Sequence, residues 1–303
     1  MALKIERGVK SAPVRCVIYG TEGIGKSTLA AQFPNPVILD TEDGTGRIDC
    51  ARVVCHDSLT LESAMLDLIG DPQGFKTVVI DSADWAERQI LEHLLKKAGK
   101  RSVEDFGFGK GYTMLAEACA RILGLADQLI AKGVNVVFVA HATIKRTSPP
   151  DETDGYDRYE LKLTRQTGPL FKEWADLLLF CNYKTKLVEG SDGRKKATGG
   201  KVRLMYAERS AAYDAKNRYG LPAEMPMAIA ELAPALKSQT LAETIAAHVA
   251  AATSVKRLGE FGDRIDALVS EDKLTAEEWS RLTDAIAARH EELEPTSQEV
   301  GHE

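Results

Sequence analysis

The chain has 303 residues, 44% of them hydrophobic and 28% charged, with a formal net charge of −6. That length suits about two domains with a full core, and the balance excludes collagen-like and wholly disordered classes. No apolar run approaches the ~18 residues of a membrane span. Residues 1–7 lack the apolar stretch of a secretory signal, so a cytoplasmic location is expected.

Val14–Tyr19 is a short apolar run and predicts a buried strand, followed by a helix over Lys26–Phe33 and a second strand at Pro36–Leu39. Arg52–Cys55 predicts another strand, Leu59–Ile69 a helix, and the β-branched run Thr77–Ile80 a strand. Asp84–Lys97 and Tyr112–Lys132 carry apolar residues every three or four positions and predict helices; Val134–Ala140 predicts a buried strand. Such alternation predicts a mostly parallel sheet with helices on both faces. From 143 to 169 the pattern breaks, which predicts a long polar surface loop with a hairpin at Arg158–Arg165. Strands are expected at Asp176–Tyr183 and Lys201–Tyr206, with a turn over Glu189–Gly200 between them. Residues 227–252 and 256–292 predict Ala-rich helices, the last opened by a Thr275–Glu278 capping box. The expected division is a core over 1–226 and a helical region over 227–303 with an acidic, disordered end.

The five cysteines are odd in number and form no Cys-x-x-Cys pair, which predicts reduced thiols. Cys50, Cys55 and His56 are too few and too widely spaced for a structural zinc. Charge is uneven: residues 257–303 hold 5 Lys/Arg against 13 Asp/Glu, while the remainder is slightly basic. A basic body with an acidic tail suits a polyanion binder with a self-masking segment, although a solvated helical tail has the same composition.

Gly20-Thr21-Glu22-Gly23-Ile24-Gly25-Lys26-Ser27-Thr28 fits the phosphate-binding pattern G-x-x-x-x-G-K-[ST], between a predicted strand and a predicted helix. Glycines let the backbone curl so that successive N–H groups face phosphate oxygens. Lys26 is expected on the β and γ phosphates of ATP and Ser27 on Mg²⁺. Asp81 ends the strand Thr77–Ile80 and is the expected second contact to the Mg²⁺ shell. Glu42, in Asp40-Thr41-Glu42 after the second strand, is the candidate to orient attacking water, with Asp40 as the alternative. His141 ends the strand Val134–Ala140 at the same sheet edge and is the candidate γ-phosphate sensor.

In this order, the P-loop, Glu42 after the second strand, Asp81 and a polar sensor resemble the RecA-like ATPase core. The closer resemblance is to phage-encoded P-loop proteins related to RecA, including the Sak-type single-strand annealing proteins. Phe106-Gly-Phe108-Gly-Lys110-Gly-Tyr112 and Lys216-Asn-Arg218-Tyr-Gly-Leu-Pro222 look like stretches of that group, and the likeness covers roughly residues 12–225. The resemblance implies an α/β RecA-like core followed by a helical C-terminal segment, and an ATPase that binds single-stranded DNA and promotes annealing or recombination. It also implies a homo-oligomer in which Lys216 and Arg218 reach a neighbour's γ-phosphate. The chain departs from RecA in having His141 where that protein has Gln, and in lacking a separate N-terminal polymerisation domain.

Three stretches are candidates for DNA contact. Lys184–Arg203 holds seven cations against two acids, including Arg194, Lys195 and Lys196. Arg101, Phe106, Phe108, Lys110 and Tyr112 mix cations with rings that can stack on bases. Lys145 and Arg146 open the polar 143–169 loop. Two alternatives stand beside the DNA-linked ATPase: a weakly hydrolysing interaction switch or loader that engages replication or single-strand-binding proteins, and a small-molecule kinase, for which no arginine-rich lid is evident.

Overall fold

The structure is a computed structural model describing residues 12–148, 154–189, 195–236, 241–250, 252–271 and 273–293. In chain order it contains β1 (Arg15–Gly20), α1 (Lys26–Ala30), β2 (Pro36–Asp40), β3 (Ala51–Val54), α2 (Ser58–Gly70), β4 (Thr77–Asp81) and α3 (Ala83–Ala98). A short 3-10 turn at Val103–Phe106 leads to α4 (Lys110–Ala131), β5 (Asn135–Thr147), β6 (Tyr156–Leu161), α5 (Thr167–Trp174), β7 (Leu177–Glu189) and β8 (Lys195–Tyr206). Then come β9 (Lys216–Asn217), β10 (Glu224–Pro226), α6 (Ala233–Leu236), α7 (Leu241–Ala250), α8 (Val255–Ser270) and α9 (Ala276–Leu293).

The sheet runs β10-β8-β7-β1-β5-β4-β2-β3, with β6 paired to β5 and β9 to β7. Every neighbour from β7 to β3 is parallel, so these strands end at one common edge. Side chains alternate across a strand, which is why the apolar runs build two cores. Val17, Tyr19, Val78 and Ile80 face α2, α3, α4 and α5. Cys16, Ile18, Ile38 and Val79 face α1 and the 229–236 segment. On the first side Phe138 meets Phe171 and Trp174 edge-on, with ring centroids 5.1 and 5.2 Å apart. The helices begin and end where their sequence dictates. Asp57 caps α2 by accepting from the Thr60 N–H at 2.8 Å, and Gly99, at φ 64°, ends α3.

Residues 143–169 differ from expectation. β5 continues through them to Thr147 and pairs with β6 as an antiparallel hairpin, in register from Ala142↔Leu161 to Thr147↔Tyr156. The stretch reads as polar because only one of its faces is covered: Arg158 and Leu161 are buried while Ile144 and Arg146 are exposed. Glu87 then fixes the turn into α5, accepting from the Thr164 N–H and from the hydroxyls of Thr164 and Thr167. The predicted 189–200 turn is likewise shorter, since β7 and β8 pair as far as Glu189↔Lys195.

Ala12–Lys237 forms one compact unit; a second contains α7, α8 and α9. In the second, Val249, Leu258, Ile265 and Leu282 form its core. The Thr275–Glu278 capping box is present, with the Glu278 N–H donating to Thr275 Oγ1 at 3.2 Å and the Thr275 N–H to Glu278 Oε2 at 2.9 Å.

Candidate active site

At the common strand edge lies a cavity of about 320 Å³ lined by Gly23, Gly25, Lys26, Ser27, Thr28, Asp40, Glu42, Asp81 and His141, among others. Sheet order explains the gathering. β5 lies between β1 and β4, which sets His141 in register with Gly20 and Val139 with Asp81. Gly20 must be glycine here, because a Cβ would lie 2.1 Å from the Cys181 carbonyl oxygen on β7. The loop that follows passes through positive φ at Gly23 and Gly25.

Lys26 is buried, and its Nζ donates to the carbonyls of Gly20 (3.2 Å) and Thr21 (3.0 Å). Burial holds its ammonium below the ordinary lysine range, against the opposing influence of the Cys181 sulfur and of the Asp81, Asp84 and Glu42 carboxyls. Burial likewise pushes the Asp81 carboxyl up to about 6, with Asp40 and Glu42 adding to the rise and the Ser27 hydroxyl and Lys26 opposing it. Asp81 Oδ2 is buried without a hydrogen-bond partner among the described residues. A buried, unmatched carboxylate oxygen beside a hydroxyl is a poor arrangement for a free protein and a good one for a hard cation. Ser27 and Asp81 thus fit Mg²⁺, which supplies charge neutralisation on the β and γ phosphates when bound.

The two acids at the end of β2 have separate tasks. Asp40 accepts from the N–H groups of Glu42, Gly44 and Thr45 at 3.0–3.2 Å and from the Thr45 hydroxyl at 2.5 Å. Burial would raise its carboxyl, but these bonds outweigh it and hold it below the usual range. With both oxygens committed to the loop, Asp40 is a positioning residue; the alternative of Asp40 as base does not suit this geometry. Glu42 is exposed at the cavity wall, with Oε2 3.5 Å from the Ser82 hydroxyl. Thr41 holds the turn to β4: its N–H donates to the Asp81 carbonyl, and its hydroxyl exchanges bonds with the Ser82 backbone. The Asp81–Ser82 peptide is cis. Gln89 on α3 ties Thr41 to β3, donating to the carbonyls of Thr41 and Cys55.

His141 is clamped by Asp84, the second residue of α3. Its Nδ1 lies 2.9 Å from Asp84 Oδ2, and its backbone N–H donates to Oδ1 at 3.0 Å. The Asp84 bond raises the imidazole above its ordinary value despite burial, and the same pair lowers the Asp84 carboxyl against its own burial.

A family model described as an AAA domain matches residues 12–219. The chain belongs to the AAA-domain family. It is a nucleotide-binding P-loop ATPase, and the matched segment spans every residue of the cavity. No curated protein matches the chain. No helix among the described residues of this AAA-domain protein is long and apolar enough to cross a membrane.

The candidate DNA residues fall in different places. Phe108 is fully exposed at φ 46°, between Gly107 and Gly109, which also have positive φ. Arg101 and Lys110 are exposed on the same connection. Phe106 instead lies half-buried beneath Lys100, whose Nζ is 5.2 Å from the ring centroid, and the Tyr112 hydroxyl donates to Glu104. Their positions give the loop its shape rather than two further free rings. Lys145 and Arg146 line a groove of about 530 Å³ with Arg165 and Lys172, opposed by Glu160. Arg194 lies outside the described residues; Lys195 and Lys196 begin β8, in register with Glu189 and Val188. Lys216 lies in β9, in register with Leu178, and Arg218 directly follows that strand; the pairing is at the start of β7 and so away from the P-loop edge. Lys216 donates to the Glu173 carbonyl and Arg218 to Asp176, so neither serves the nucleotide site of its own chain.

Sequence reasoning missed Thr41, Asp84 and Gln89. Asp84 carried a faint signal, an acid three residues after Asp81 at the start of a helix. Thr41 and Gln89 act through long-range backbone bonds and carried none.

Proposed function

We propose that this AAA-domain ATPase binds single-stranded DNA and couples ATP hydrolysis to strand annealing or recombination, as the likeness to RecA-related phage proteins implies. The ATPase half rests on the juxtaposition of Lys26, Ser27, Asp81, Glu42 and His141 in one cavity. In that arrangement Lys26 and the P-loop N–H groups hold the phosphates, Ser27 and Asp81 hold Mg²⁺, Glu42 orients water, and Asp84 keeps His141 turned to the site.

The DNA half rests on one observation above others: Phe108, 106% exposed on a turn braced by its neighbours. The brace is tight, since the Arg101 and Ser102 N–H groups donate to the Asp105 carboxylate and Lys100 Nζ to the Asp105 carbonyl at 2.6 Å. A large apolar ring held in water by an ordered turn is unfavourable unless something stacks on it. Bases do so without sequence preference, and the Lys145/Arg146 groove supplies cations for a phosphate backbone. Lys216 and Arg218 are proposed to face a neighbouring copy's nucleotide, since they lie away from their own.

The test is fluorescence anisotropy of a labelled oligothymidylate over a salt series. Phe108→Ala is expected to weaken binding about tenfold, in line with roughly 1–3 kcal/mol per stacked base. Lys145→Ala with Arg146→Ala is expected to flatten the salt dependence. Unchanged affinity in both variants would remove DNA from the proposal.

A further inference from the structure

The catalytic groups all lie on one side of β1. Asp81, Glu42 and His141 come from β4, the turn after β2, and β5. A nucleotide whose γ-phosphate meets them has room to extend its α-phosphate, sugar and base to the other side of β1, where β7 and β8 lie. Two side chains wait there. Tyr183 on β7 and Arg203 on β8 are direct cross-strand partners, so both project from one face of the ribbon. The Tyr183 hydroxyl donates to the Gly23 carbonyl at 3.4 Å, and Arg203 Nη1 donates to the Ile24 carbonyl at 3.3 Å.

The approach of Arg203 is close enough to constrain the loop. A Cβ on Gly25 would stand 2.8 Å from Arg203 Nη1, and nothing but that guanidinium lies within 4 Å. Arg203 is exposed, and among the described residues it pairs with no carboxylate. A guanidinium has five donors, and a neutral carbonyl at 3.3 Å occupies one of them weakly. A lone cation resting on the glycine tip of a phosphate loop has its natural partner in phosphate. From the amino-acid sequence, Arg203 reads as part of a basic hairpin; the antiparallel pairing returns it to the backbone of the P-loop.

We propose that Tyr183 and Arg203 form the nucleoside-end subsite of the ATPase pocket in the same chain. Arg203 pairs with the phosphates that are not transferred, and the Tyr183 ring packs against the base. Both are binding residues and take no part in the attack on the γ-phosphate. A group acting on the transferred phosphate would tell ATP from ADP and change kcat; this pair does neither.

The test uses the full chain with Mg²⁺ and calorimetric titration of ADP, a non-hydrolysable ATP analogue and inorganic tripolyphosphate. Arg203→Ala is expected to weaken all three about tenfold, with kcat at saturating ATP within about threefold of wild type. Tyr183→Ala is expected to weaken both nucleotides but not tripolyphosphate, and Tyr183→Phe, which keeps the ring and loses the Gly23 bond, is expected to bind as wild type. Melting without nucleotide is expected to be unchanged in Arg203→Ala. Unchanged ADP affinity, a loss confined to the ATP analogue, or a lowered melting temperature that Arg203→Lys restores without restoring affinity would overturn the subsite. Because the subsite rests on nucleotide binding at the P-loop, a wild-type chain that binds no nucleotide would overturn it together with the ATPase assignment.

Discussion

Asp81→Asn is expected to stabilise the protein while removing its metal contact. In the folded chain the Asp81 carboxyl rises from 3.8 to about 6, chiefly through burial. A raised carboxyl means that the folded state holds the proton more tightly than the unfolded state. Stability attributed to this group is therefore greatest at low pH and is lost as the pH climbs from about 4 to about 6. Above that range the burden is complete. A roughly hundredfold change in proton affinity corresponds to about 3 kcal/mol. Asparagine removes the buried charge but leaves an amide imperfectly bonded, at a cost of about 1 kcal/mol, so the net gain is about 1–2 kcal/mol. For a chain of this size that is a rise of roughly 2–8 °C in Tm. The assay is thermal melting at pH 7.5 in a chelator, repeated at pH 4, with Mg²⁺ and a non-hydrolysable ATP analogue added in a further arm at pH 7.5. The variant is expected to melt higher at pH 7.5 and to lose that advantage at pH 4. With Mg²⁺ and analogue the order is expected to reverse, since ligand binding stabilises only a chain that can hold it. A variant no more stable than wild type at pH 7.5, or one equally favoured at both pH values, would refute the account of Asp81 as a charge buried for a cation.

Asp84→Asn is expected to lower stability by about 2 kcal/mol near pH 5–6, because it breaks a mostly buried charge-assisted pair. His141 is raised, so its share is complete below its unfolded value and lost as the pH rises through its folded value; Asp84 is lowered, so its share is lost as the pH falls through its own. The gap between variant and wild type is therefore expected to narrow both in alkali and in strong acid, as measured by Tm across pH. Gly25→Ala places a Cβ against Arg203 at φ 103° and is expected to cost about 1–3 kcal/mol of stability and to weaken ADP binding at least tenfold, read by denaturant melting and titration.

Much of the sheet was legible in the sequence because strands buried on both faces are written as continuous apolar runs. Val14–Tyr19 and Thr77–Ile80 carry no competing periodicity, and the parallel order brings their ends together whatever the loops do. Lys26 and Ser27 were legible for a related reason: the loop's chemistry is local, so its residues are adjacent in the chain. The 143–169 hairpin was not legible, since a strand covered on one face and rich in charge looks like a loop until its partner is known. Asp40 and Glu42 illustrate the same limit at the site. Both are acids at the end of one strand, and only the four donors converging on Asp40 separate the loop anchor from the group facing the cavity. Phe106 and Phe108 are two residues apart in a symmetrical motif, yet Gly111 gives the first ring a place to pack, with a hypothetical Cβ only 2.9 Å from it, and leaves the second in water. Arg203 required the β7–β8 register, which depends on a bulge between Tyr183 and Thr185.

The most direct test of the central claim is steady-state ATP hydrolysis by the full chain, with and without single-stranded DNA, beside Lys26→Ala and Glu42→Gln. Hydrolysis that rises with DNA in wild type is expected, together with its loss in both variants and retained nucleotide binding in Glu42→Gln, which keeps the loop and the metal contacts. Wild-type turnover in Lys26→Ala or Glu42→Gln would contradict the assignment of the cavity as the seat of hydrolysis.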